Sequence, residues 1–123
     1  MGGGDGRDEK RAALRVDVEW PVDCETEDTF LFAAITNVSQ LGIFVCTEEP
    51  LEVGRVISLK FSPPDSETFL MRGRVQWVNT VRAFGENPNP GMGLVFIDLT
   101  PEDRERLVAV IRTIAYVRDT PVN

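Results

Sequence analysis

Histidine is absent from the 123 residues. That omission removes the commonest general base, the Ser-His-Asp triad and every histidine-dependent zinc site. Cysteine is scarce: Cys24 and Cys46 are too few for a disulfide scaffold. The first ten residues, MGGGDGRDEK, are polar and unlike a secretory leader, so both thiols are expected to be reduced and the protein cytoplasmic. Gly6 stands where a myristoylation signal needs Ser or Thr. No apolar run approaches the ~18–20 residues of a membrane span, so no membrane insertion is expected. Basic residues are outnumbered, 13 Lys and Arg against 20 Asp and Glu, for a net charge of −7. A general basic face for nucleic acid is therefore not expected.

What is present suits one domain with one core. Apolar residues make up 42% of the chain and charged residues 27%, ordinary values for a globular protein. Charge is unevenly spread. Residues 16–54 carry nine acids and no base, whereas residues 1–15 are slightly basic through Arg7, Lys10, Arg11 and Arg15. A small cationic cluster thus abuts an acidic body, an arrangement that repels nucleic acid yet can hold one anionic ligand.

Residues 1–9, rich in Gly and charge, read as a flexible arm, and residues 119–123 as a tail. From Arg15 the pattern alternates, with Val16, Val18, Trp20 and Val22 on one face, up to an acidic turn over residues 23–28. Further strands are expected at residues 30–36, 42–47, 56–61, 69–79 and 92–97, separated by turns rich in Pro, Gly, Asn and Asp and by a loop at residues 82–91. In the fifth strand Met71, Gly73, Val75 and Trp77 share one parity, so Trp77, like Trp20, is expected in the core; Arg72 and Arg74 take the other parity and should face solvent. Thr100-Pro101-Glu102-Asp103 is a helix start, with Thr100 as cap and acids at the positive end of the dipole. Leu107, Val108, Ile111, Ile114 and Ala115 then form one apolar stripe to about Arg118. Six short strands and one amphipathic C-terminal helix indicate a mainly β fold, a six-stranded antiparallel barrel in which closure removes exposed edges.

Two motifs carry chemistry. Arg11-Ala12-Ala13-Leu14-Arg15 places two guanidinium forks just before the first strand. Such forks pair bidentately with phosphate or with the O6/N7 edge of guanine. Asn37-Val38-Ser39-Gln40-Leu41-Gly42 places short polar side chains on the turn between the second and third strands. There Gly42 permits a close approach or a positive φ, and Asn37 and Ser39 can alternatively bond their own backbone. Neither cysteine offers an enzyme its nucleophile. Cys24 lies among acids that raise its pKa, and Cys46 sits in an apolar strand.

In these motifs, their order and the six-strand-plus-helix layout, residues 10–118 resemble a PilZ domain, a bacterial receptor family for cyclic di-GMP. Gly73-Arg74-Val75-Gln76-Trp77-Val78 and the GLVFIDLTPEDR stretch from Gly93 are similar to the family's long strand and helix entry. The resemblance implies that Arg11 and Arg15 hold phosphates and guanine edges. It implies that Asn37 and Ser39 hydrogen-bond a guanine or a phosphate, and that Gly42 shapes the turn. It also implies that Lys10, a basic residue before the first Arg, accompanies a stacked pair of ligands. No cofactor other than this ligand is expected. The expected function is a non-enzymatic receptor whose RxxxR arm becomes ordered on cyclic di-GMP and which signals, in motility or a related behaviour, through a partner protein, with a homodimer as a further option. The alternative is a PilZ-like interaction module that does not bind the nucleotide.

Overall fold

In the computed structural model, residues 14–80 and 89–119 are described. Six strands, β1 (Val16–Glu25), β2 (Phe30–Val38), β3 (Gly42–Cys46), β4 (Val56–Phe61), β5 (Phe69–Asn79) and β6 (Gly91–Ile97), precede helix α1 (Pro101–Asp119). All neighbouring strands pair antiparallel, and the order β1-β2-β3-β6-β5-β4 closes into a barrel. Each of the six strands pairs on both sides, so closure leaves no open sheet edge among the described residues.

Strand alternation fills the barrel. Val22, Cys24, Ile35, Val45, Ile57, Leu59, Val75 and Met92 point inward and are buried. Helix α1 lays Leu107 and Ile111 on this core, with Val110, Ile114 and Ala115 packed at its margin. Beneath it three aromatic rings stack in series. Phe61 lies 6.0 Å from Trp20 and 5.3 Å from Phe69, with nearly parallel planes. Arg106 of α1 sits 4.0 Å above the Phe69 ring and donates to the carbonyl oxygen of Glu67 at 3.0 Å, which ties helix to barrel. The helix start follows the expected chemistry: the Thr100 hydroxyl accepts from the Asp103 amide at 3.1 Å. The Asp103 carboxylate turns instead to Arg106 at 3.2 Å.

One expectation needs correction here. The acidic stretch after Val22 is not all turn, because β1 continues to Glu25 and pairs with both β2 and β4. Pro21 is tolerated within the strand because β4 joins the ladder only from Val22. Arg72 is solvent-exposed as expected, and there it binds Asp98 at 2.6 Å, where the chain turns with φ +56° between β6 and α1. No helix among the described residues is long and apolar enough to cross a membrane.

Candidate functional site

The expected site residues fall into three groups. Lys10, Arg11 and the arm at residues 1–9 lie outside the described residues. Arg15 and Asn37 come together on the outer wall of the barrel. Ser39 and Gly42 shape the turn beside them.

The Arg15 guanidinium donates to Asn37 Oδ1 at 2.5 Å, and Asn37 Nδ2 donates to Asp17 Oδ1 at 2.9 Å. Both ends of the Asn37 amide are thus held, one by a cation and one by a carboxylate. Asp17, which the motif reading did not single out, joins this pair. The signal was its parity, since Asp17 stands two residues after Arg15 and shares its exposed side of the alternating pattern.

Ser39, expected to touch ligand, is fully buried. Its Oγ accepts from the amides of Leu41 at 3.1 Å and Gly42 at 3.3 Å, while its own amide donates to the Gly42 carbonyl at 2.9 Å. The hydroxyl closes the turn and is not presented to the surface. Gly42 serves the same end. A Cβ there would come within 2.1 Å of the Leu94 carbonyl oxygen, so only glycine lets β3 lie this close to β6. Of the two alternatives read from the sequence, close approach is the one found, and it is backbone against backbone.

Beyond the turn, one cross-strand row runs Asp17–Asn37–Phe44–Gly93–Trp77, through β1, β2, β3, β6 and β5. Phe44 is 6% exposed yet lies outside the core, because the Trp77 ring covers it at 5.2 Å with the planes 27° apart. Gly93 has no side chain to part them. Trp77 itself is 51% exposed, a correction to its expected place in the core. The cause is a register shift. Val75 pairs with Leu94 and Trp77 with Gly93, so two residues of β5 face one step of β6 and the alternation breaks at Gln76. Two further shifts, in β1/β2 and in β2/β3, flank Asn37. The three register shifts among the described residues thus lie beside this row, where bulges re-aim side chains.

Together Arg15, Leu41, Gly42, Phe44, Gln76, Trp77 and Gly93 line a shallow groove of about 190 Å³. That is below the ~300–1,000 Å³ that encloses a drug-sized ligand, so the groove is an open wall and not an enclosing pocket. A flat exposed ring at one end and a guanidinium at the other suit a planar base joined to an anion.

Solved structures share this fold. The Bacillus subtilis inhibitor of motility MotI/DgrA matches with TM-score 0.74 and 16% identity over 88% of this chain and 52% of that one. Escherichia coli YcgR in complex with c-di-GMP matches with TM-score 0.73 and 14% identity, over 89% of this chain and 47% of that one. The PilZ domain of YcgR with c-di-GMP matches with TM-score 0.67 and 13% identity, over 92% of this chain and 99% of that one. The chain thus spans about half the length of MotI and of intact YcgR. No curated protein matches it by sequence. The PilZ domain model matches residues 7–113, nearly the whole barrel and helix, and the chain belongs to the PilZ domain family.

Proposed function

We propose that this chain is a cytoplasmic receptor for cyclic di-GMP that hands its signal to a partner protein. The observation that carries the reading is one groove lined by Arg15, which holds Asn37 beside it, and by the exposed Trp77–Phe44 stack. It lies in a PilZ domain whose structural neighbours include complexes with that dinucleotide. In this reading one guanine stacks on the Trp77 indole, an interaction worth ~1–3 kcal/mol per base. Arg15 exchanges its neutral partner Asn37 for a phosphate or a guanine edge, and Asn37 is released to bond the base. Arg11 and Lys10 close over the ligand from the preceding segment. Fixing each arm residue costs about 1–2 kcal/mol of backbone entropy, which several charge-assisted hydrogen bonds of ~1.5–3 kcal/mol each exceed. The ordered arm and the neighbouring wall then form the surface that a partner reads.

A receptor fits the remaining chemistry better than a catalyst does. Cys24 is buried, and burial with the nearby Asp23 charge pushes its thiol up to about 12, so it carries no thiolate near neutral pH.

A fluorescence titration tests the reading. Cyclic di-GMP should quench emission saturably in the full chain, and the Trp77→Phe variant, which retains buried Trp20, should lose that response. Emission unchanged by ligand in the wild-type protein would refute the stacked arrangement.

A further inference from the structure

The β5 bulge does more than expose Trp77. In unbroken alternation Gln76 would face out and Trp77 in; with the register shift both neighbours are exposed, and both line the groove. Their Cα atoms are one peptide apart, ~3.8 Å. Gln76 has no hydrogen-bond partner among the described residues, whereas Arg15 and Asn37 are already engaged. The barrel wall therefore presents a flat ring with a free amide beside it, both lining one groove.

A stacked base leaves its edge to be satisfied by whatever stands next to the ring. Guanine presents O6 as an acceptor beside N1–H as a donor on its Watson–Crick edge, and a primary amide offers the complementary pair, N–H and C=O. We infer that Gln76 is the residue that reads the edge of the guanine stacked on Trp77, its N–H donating to O6 and its carbonyl accepting from N1–H. This rests on the receptor reading above and adds to it a division of labour. The arginines hold charge from the β1 side, whereas the bulge supplies stacking and base recognition from β5. A site that hydrogen-bonds its substrate loses much more from an unpaired polar edge than a site that merely stacks it.

Calorimetric titration of cyclic di-GMP into the full chain and into Gln76→Leu, each at low and moderate salt, tests the assignment. The side chain is exposed, so the leucine variant should keep the wild-type melting temperature; Gln76→Met, unbranched and of similar length, repeats the test should it not. Affinity should fall about 10-fold or more with stoichiometry unchanged. The wild-type-to-variant ratio should be the same at both salt concentrations, because a neutral amide is not screened. Equal affinities in a wild-type protein that binds the ligand would overturn the Gln76 assignment alone. So would a penalty that vanishes as salt rises, which marks a displaced charge contact. Failure of the wild-type protein to bind would overturn the receptor reading and this inference with it.

Discussion

The Trp77 indole rests on the bare backbone of Gly93, so closely that a Cβ there would lie 2.2 Å from Nε1 and 2.5 Å from Cε2. The obstructing atoms belong to a side chain and not to the strand. Gly93→Ala should therefore leave the barrel folded and push the indole off Phe44. The expected outcome is a red-shifted tryptophan emission, a melting temperature within a few degrees of wild type, and cyclic di-GMP affinity lowered about 10-fold, within the range of one lost stacking contact. Parallel fluorescence and binding measurements check this.

At Gly42 the obstacle is the Leu94 carbonyl, which is backbone and cannot step aside. Gly42→Ala must part β3 from β6 next to the bond that Phe96 N–H donates to the Leu41 carbonyl at 2.9 Å. Overpacking of this kind costs ~1–3 kcal/mol or more. The melting midpoint should drop on the order of 5–15 °C, and the Ser39 turn should lose its shape. Gly93→Ala and Gly42→Ala thus separate loss of ligand from loss of fold, and thermal unfolding monitored by circular dichroism distinguishes them.

Cys24 links the core to pH. Its thiol rises from 9.0 to about 12 because burial, and secondarily Asp23, disfavour the thiolate. The folded state then holds its proton more tightly than the unfolded state does. Its contribution to stability is complete below pH ~9 and is lost as pH rises from ~9 toward ~12. Denaturant midpoints measured across this window should fall less steeply for Cys24→Ala than for the wild type. At pH 8 a thiol-specific reagent should modify half-buried Cys46 and reach Cys24 only after unfolding.

Much of the architecture was legible because strand and helix periods are written residue by residue. β4 and β5 fall where alternation put them, and the Thr100 cap marks the helix start. The site was legible only in part. Arg15 and Asn37, singled out from two separate motifs, lie in hydrogen-bond contact. Trp77 was misplaced because its direction depends on a register shift between β5 and β6. Such a shift arises from the pairing of two strands and has no signature in either alone. Ser39, expected to touch ligand, is buried in the turn for a different reason. A hydroxyl that holds a turn and one that holds a ligand require the same residue, and only burial separates them. Asp17 was overlooked because its role depends on facing Asn37 across β1 and β2.

Isothermal titration of cyclic di-GMP into the wild-type chain and Arg15→Ala, side by side, bears most directly on the site. The wild-type protein should bind with a defined stoichiometry, and Arg15→Ala should bind about 10-fold or more weakly, a loss of roughly 1.4 kcal/mol or more. Identical affinities in two well-folded proteins, or no binding heat in either, would contradict a site built around the Arg15–Asn37 pair.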